Sequence, residues 1–431
     1  MKELEKQRLR IRILALSWEY PPHRIGGIAE HVYELSKALT RKGQEVHVVT
    51  LGIFPYEENE GVHLHRIAVD ASKPDFINCM NEEMEKIGAS IIEFSGTHVD
   101  IIHAHDWMVG SAAINLAFRY RKPLVSTIHS TEFGRSQGIK EEYQMKIHEE
   151  EERLVRLSDH VIVCSGSMKR EIQGLFVMEK ISVIPNGVNV SKFDFFVDGA
   201  AIKEKFCGLK SSKMILFLGR LVYQKGVNVL IGALPIILSS YSGVNRDVKL
   251  VIVGEGPMRK QLEKDAALLG VSKHVVFTGF LDDYTVRCLL KAADVVVVPS
   301  LYEPFGIVAL EAMAAKTPVV VSDIGGLSEL ISDAEGVKVP LNNSESLAKG
   351  IVKILSEEDE EKRKVEVEEM VEKGFQKALS LSWDKVSEAT IGVYKKALAS
   401  VRAPTAITAQ EEDTKIGIET EKGEIWKYSY S

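Results

Sequence analysis

The chain has 431 residues, of which 45% are hydrophobic and 27% charged, enough for two domains with cores of their own. Its 54 basic residues against 61 acidic ones give a formal charge of −7, which argues against a phosphate backbone as the main ligand, so no nucleic-acid partner is expected. No run of about 18 uninterrupted apolar residues occurs, and MKELEKQRLRIRILALSW is too charged ahead of its short apolar segment to be a signal peptide; a cytoplasmic protein with no membrane partner is expected.

Taken in chain order, the pattern alternates strand and helix. Ile11 to Leu16 reads as a strand, Ile28 to Lys42 as an amphipathic helix, then Glu45 to Thr50 and Ile101 to His105 as strands. Helix Ala112 to Tyr120, strand Leu124 to Ile128, a charged helix over 140–157, and strands His160 to Cys164 and Ile181 to Ile184 follow, closed by PNGVN. The polar stretch Val190 to Ser212 reads as a passage between domains. The alternation then restarts: strand Lys213 to Leu218, helix Val227 to Ser239, strand Lys249 to Val253, helix Met258 to Leu269, and strands at 275–278, 295–298, 318–321 and 337–340. Beyond Leu341 helices dominate, and the charged run over 356–370 is a solvated helix face. From Thr405 the chain is polar, and Trp426, Tyr428 and Tyr430 there offer a docking element. Cys79, Cys164, Cys207 and Cys288 lack the paired spacing of a zinc or disulfide framework and read as packing residues.

Four segments carry chemistry. Gly26 and Gly27 stand directly before the first helix, where missing side chains admit a phosphate to the helix amino terminus. HAHDW over 103–107 and STIHS over 126–130 bring His103, His105, Asp106 and His129 to strand ends. In ILFLGRLVYQKGVNVLI, Arg220 and Lys225 flank one strand-end loop, placing two cations where a departing diphosphate would need them. VIVGEGPM has Gly254 and Gly256 after a strand but no third glycine of a dinucleotide fingerprint. The richest segment is VPSLYEPFGIVALEAMAAKTPVVVSDIGGLSEL. There Glu303 precedes a helix, Glu311 lies inside it, the amides of Gly306, Ile307 and Val308 open it, and Gly325, Gly326 and Leu327 follow the next strand. Carboxylates suit hydroxyls, and amides and cations suit phosphates, so both loops suit a sugar nucleotide. No metal-ligand spacing such as H-E-x-x-H occurs, and no cofactor or metal is expected.

The paired glutamates together with the GR-x4-KG run over 219–226 resemble the retaining glycosyltransferases of the glycogen and starch synthase type, most like the short archaeal form. The resemblance covers about residues 10 to 400 and implies an α/β fold of two Rossmann-like domains facing across a cleft, the GT-B type. It divides the chain into an acceptor-side domain over 1–200, a nucleotide-sugar domain over 201–385, and a helix over 386–431 that crosses back and ends in a mobile tail. It implies that Arg220 and Lys225 meet the diphosphate, that Glu303 holds donor-sugar hydroxyls and Glu311 the ribose, and that His129 lies against the hexose. It also implies acceptor-side roles for Glu19 and Asp106, and a place near the base for the 254–256 loop. The family glycine loop usually has a lysine before the glycines, whereas Arg24 and Ile25 stand here. Domain closure would exclude water, and substitution on one face would proceed with the leaving phosphate assisting deprotonation of the acceptor. The activity implied is transfer of glucose from ADP-glucose or UDP-glucose to an α-1,4-glucan. A lipid or small-molecule acceptor, a nucleotide-sugar epimerase and a non-catalytic binder remain as alternatives.

Overall fold

A computed structural model describes residues 10–94, 98–240, 247–355 and 360–401. The carboxy-terminal aromatics Trp426, Tyr428 and Tyr430 lie outside the described residues. The first sheet is built from β1 (Arg12–Leu16), β2 (Glu45–Leu51), β3 (Tyr56–Asn59), β4 (Val62–Ile67), β5 (Ile101–His105), β6 (Leu124–Ile128), β7 (His160–Val163) and β8 (Ile181–Val183), in the order β3-β4-β2-β1-β5-β6-β7-β8. Its helices are α1 (Gly27–Arg41), α2 (Phe76–Phe94), α3 (Gly110–Tyr120), α4 (Glu132–Arg135), α5 (Glu142–Leu157) and α6 (Gly166–Phe176). β1 is central, pairing Ile13 with Val46 on one side and with Ile101 on the other, both in parallel. Parallel strands covered on both faces read as continuous apolar runs rather than alternations, which is why ILAL and IIHAH were legible as strands.

After α7 (Gly199–Cys207) come β9 (Lys213–Leu218), α8 (Val227–Ser240), β10 (Val248–Val253), α9 (Arg259–Leu268), β11 (Val275–Gly279), α10 (Asp283–Ala292), β12 (Val295–Val298), α11 (Ile307–Ala314), β13 (Val319–Ser322), α12 (Gly325–Leu330), β14 (Val337–Val339), α13 (Ser344–Leu355), α14 (Glu360–Ser380) and α15 (Trp383–Val401). The second sheet runs β11-β10-β9-β12-β13-β14, with every pairing parallel. The order reverses between β9 and β12, and at such a switch point the loops beyond the carboxyl ends of adjacent strands diverge and leave room for a ligand. The core beneath is dry: Ile215, Phe217, Leu230, Ile252 and Val297 are at most 1% exposed, each contributing about 1.5–3 kcal/mol of transfer free energy.

The described residues form two compact units that interleave along the sequence, one within 1–128, 149–162 and 388–431, the other within 129–148 and 163–387. Three differences from the expected elements have clear causes. The hairpin β3–β4 follows β2 in a stretch where no strand was expected, because β4 alternates Val62, Leu64 and Arg66 inward with His63 and His65, a pattern that histidines disguise. Helices α2 and α6 also fall where no helix was expected, α6 behind its Ser165 cap. The supposed passage over 190–212 contains α7, capped by the Asp198 carboxylate on the Ala201 amide at 3.1 Å and ended by Gly208 at φ 90°. None of the four cysteines forms a disulfide, and Cys164, Cys207 and Cys288 are buried.

Candidate functional site

In the second unit the loops beyond β9, β12 and β13 are stitched to one another. Lys225 ends a single 3-10 turn, and Gly226 follows at φ 66°; a Cβ there would lie 1.9 Å from the Pro299 carbonyl oxygen, so only glycine lets this turn lie on the end of β12. The Leu301 amide donates to the Gln224 carbonyl at 2.8 Å. Across that seam Lys225 Nζ donates to Glu303 Oε2 at 2.7 Å, and the Ser300 hydroxyl donates to the same oxygen at 3.1 Å. The side chains are 25% and 12% exposed, so desolvation offsets part of the attraction and the pair is worth on the order of 1 kcal/mol. What the pair supplies is placement: a cation and a carboxylate, both pre-oriented, at one strand end. Ser300 is the partner that sequence patterns missed, since a serine after a strand reads only as a breaker.

The glycine pair has a different cause from the open approach expected of it. A Cβ on Gly325, at φ 53°, would stand 2.4 Å from the Glu303 carbonyl oxygen, and one on Gly326 would stand 2.1 Å from the Pro304 carbonyl oxygen. The Gly326 amide donates to the Glu303 carbonyl at 2.8 Å. These glycines therefore let one loop press on the other, and the Gly326 N–H is spent inside the protein. Gly306, at φ 102°, sits beneath Leu327, whose Cδ2 a Cβ would meet at 2.4 Å. It opens α11 without a side-chain cap, and the first amides of a helix, here those of Ile307 and Val308, have no intrahelical acceptor. Glu311 lies one turn further along the same helix. Arg220 is exposed, and its guanidinium meets no carboxylate among the described residues. Gly254 and Gly256 press on this same loop: their Cβ positions fall 2.1 Å from the Gly219 carbonyl oxygen and 2.4 Å from that of Leu221, which explains the two glycines without a dinucleotide.

His129 belongs to this second unit and is half-buried by exposure, yet crowding drives its pKa down to about 3 through desolvation, so the ring is a neutral imidazole near pH 7.

In the first unit the expected sites resolve differently. Glu19 is 2% exposed, and its Oε2 accepts the amides of Ile25 at 2.9 Å and Gly26 at 2.7 Å. The Gly26 amide, expected to receive a phosphate, already holds the protein's own carboxylate. Gly27 begins α1 just beyond. Arg24 leans towards Glu30 at 3.7 Å. His103 is structural: its Nδ1 lies 2.7 Å from the Tyr394 hydroxyl and its Nε2 2.7 Å from Thr127 Oγ1. His105 packs on His103 with ring centroids 4.2 Å apart. Asp106 is buried at φ 62° and ψ 172°, a region that side chains other than glycine's rarely occupy, and its amide donates to the Thr127 carbonyl at 3.0 Å. Backbone strain of this kind, of order 1–3 kcal/mol, persists only where surrounding structure over-determines it.

Two α/β sheets of this order, parallel but for the β3–β4 edge hairpin, with Lys225 paired to Glu303 at the β9/β12 switch point, define a glycosyltransferase of the GT-B type. Residues 25–192 match the family described as Glycosyltransferase Family 4, and residues 201–369 match Glycosyl transferases group 1. An uncharacterized glycosyltransferase of Methanocaldococcus jannaschii is 41% identical over 90% of this chain and 99% of its own length. A glycogen synthase of Mycobacterium tuberculosis is 37% identical over 91% of this chain and 97% of its own. The solved structure of sucrose-phosphate synthase from Thermosynechococcus elongatus shares the fold, with a TM-score of 0.75 at 23% identity over 91% of this chain and 100% of that one. The chain belongs to the group 1 glycosyltransferases.

Proposed function

We propose that this protein is a retaining hexosyltransferase that carries glucose from ADP-glucose or UDP-glucose to the non-reducing end of an α-1,4-glucan, as a glycogen synthase does. The observation that carries the reading is the 2.7 Å contact of Lys225 with Glu303 at the β9/β12 switch point, which sets a cation for a leaving phosphate beside a carboxylate for sugar hydroxyls. The choice of a glucan acceptor is supported by the 37% identity to a glycogen synthase across nearly both full lengths.

In this reading the bond from the anomeric carbon to the diphosphate breaks and its electron pair stays on the phosphate oxygen. Lys225, Arg220 and the amides opening α11 neutralise the charge that grows there. The acceptor hydroxyl oxygen bonds to the anomeric carbon from the face the phosphate leaves, and its proton passes to that phosphate oxygen. Glu303 accepts hydrogen bonds from the hexose hydroxyls, Glu311 from the ribose, and the neutral His129 meets the hexose. Asp106 and Glu19 stand on the acceptor side. Because protein cations carry the neutralisation, transfer proceeds without a divalent ion and survives EDTA. The protein works in the cytoplasm.

The test is nucleotide release from ADP-glucose and UDP-glucose, each with and without glycogen. Release that requires glycogen and lengthens its α-1,4 chains is expected. Release indifferent to glycogen moves the assignment to a lipid or small-molecule acceptor, and consumption of nucleotide sugar with no nucleotide released moves it to an epimerase. No turnover with any acceptor leaves a binder.

A further inference from the structure

Tyr302 stands next to Glu303, yet the reaction as described makes no use of it. Its hydroxyl donates to Glu171 Oε1 at 2.9 Å and accepts the Thr131 amide at 3.3 Å. Thr131 is fully buried and its hydroxyl also bonds Glu171, so one carboxylate gathers both hydroxyls. The ring occupies a slot that exists only because residue 134 is glycine: a Cβ on Gly134 would lie 2.2 Å from the Tyr302 Cζ. The Tyr302 amide bonds the Gln224 carbonyl at 3.3 Å, one residue from Lys225. Burial and the Glu171 carboxylate push the phenol well above its ordinary pKa, so it stays a proton donor at every working pH. All these residues belong to the second unit.

Backbone and side chain of one residue thus hold three segments: the Lys225 turn, the Glu303 loop and the stretch that begins with His129. A second tie runs parallel to the first. Glu329, three residues past the glycine pair, accepts the amides of Gly166 at 2.7 Å and Ser167 at 2.6 Å and pairs with Arg170 at 3.2 Å. Both donor loops are therefore fastened to α6 and the turn before α4, and Glu171, the partner of Tyr302, lies on that same α6.

We propose that Tyr302 is a positioning residue for transfer, its hydroxyl tying the loop that carries Glu303 to the segment that carries His129 so that both donor-sugar groups are held in one geometry. The proposal rests on the reading of Glu303 and His129 as donor-sugar groups. It acts on the hexose and not on the nucleotide, because neither tied residue is assigned to the base or the ribose.

Tyr302→Phe keeps the ring in its slot and removes only the hydroxyl. In the full-length protein we expect kcat/KM for the active nucleotide glucose to fall roughly 10- to 100-fold, as small misplacements of reacting groups do. Affinity for the bare nucleoside diphosphate should stay within about twofold, since its contacts lie elsewhere. Gly134→Ala, which evicts the ring, should lose more, and Glu171→Gln, which keeps an acceptor for the phenol, should lose only about threefold. Unchanged kcat/KM in Tyr302→Phe overturns the proposal. So does a loss mirrored by equal losses in nucleoside diphosphate affinity and Tm, because that marks a merely structural bond. Glu303→Ala, measured in parallel, separates the two levels: if it is fully active the donor-site reading fails and the proposal with it, whereas an inactive Glu303→Ala beside an unaffected Tyr302→Phe removes the tie alone.

Discussion

Each unit has a glycine-bearing loop between a strand and a helix, and the two loops are finished in opposite ways. In the first, Glu19 folds back and fills the amides of Ile25 and Gly26 with a carboxylate the protein supplies itself. In the second, Gly325 and Gly326 are closed by the backbone of 303–305, and the charge beside them is the Lys225–Glu303 pair. Two loops that look alike as sequence therefore have opposite electrostatics. A carboxylate already seated among amides repels an incoming phosphate, whereas a lysine held by one glutamate can turn to a stronger anion at the cost of a contact worth on the order of 1 kcal/mol.

The largest effect is expected on removing the cation. Lys225→Ala should lower kcat by about 10²–10³, the range seen when one group facing developing charge is deleted, while Tm falls only slightly as Glu303 loses its partner. A loss under threefold, measured by steady-state kinetics, would mean that the second loop does not hold the leaving group. Gly326→Ala tests the closure instead. Its Cβ would stand 2.1 Å from the Pro304 carbonyl oxygen, so the loops must part, and we expect about 2–4 kcal/mol of destabilisation by denaturant unfolding together with a loss of activity.

Glu19→Gln probes the first loop. It keeps an acceptor oxygen for one amide and loses the charge, which should cost about 1–2 kcal/mol of stability and leave the donor KM within about twofold. A donor KM that changes tenfold would put the first loop in the donor site after all.

The smallest effect is on pH. His47 Nδ1 lies 3.1 Å from His65 Nε2, with Glu45 and His63 alongside. Burial pushes His65 down to about 4 and lowers His47 as well, from an unfolded value near 6.5. Between those limits the unfolded chain binds more protons, so stability is full above about pH 6.5 and declines towards pH 4. Unfolding of wild type and His65→Asn at pH 7 and pH 5 checks the sign: the variant should lose less on acidification. For His129, lowered to about 3, the same physics predicts no limb in the rate profile near pH 6.5 assignable to that ring.

Much of the fold was legible because parallel strands buried on both faces announce themselves as apolar runs, as VVVV at β12 and KMILFL at β9 do. The strands that escaped, β3 and β4, carry histidines and glutamates at a sheet edge, where alternation is blurred. Lys225 and Glu303 could be singled out in the sequence because each follows an apolar strand and a short loop, and the structure pairs them at 2.7 Å. The purpose of the glycines was not legible, because what a missing Cβ makes room for is decided by a segment some twenty to seventy residues away: Pro299 for Gly226, Glu303 for Gly325. Tyr302 escaped for the same reason, its partners Thr131 and Glu171 being 171 and 131 residues distant. The strain at Asp106 has no sequence signal at all, since aspartate is common at helix starts and only the backbone angles set it apart.

The product of transfer is the most direct readout. Wild-type protein is mixed with ADP-glucose or UDP-glucose and a maltooligosaccharide, and the new linkage is read by proton NMR. We predict an added α-1,4-linked glucose at the non-reducing end, formed without divalent metal and absent with Lys225→Ala. A β-linked product, free glucose alone, or an undiminished rate in Lys225→Ala would contradict it.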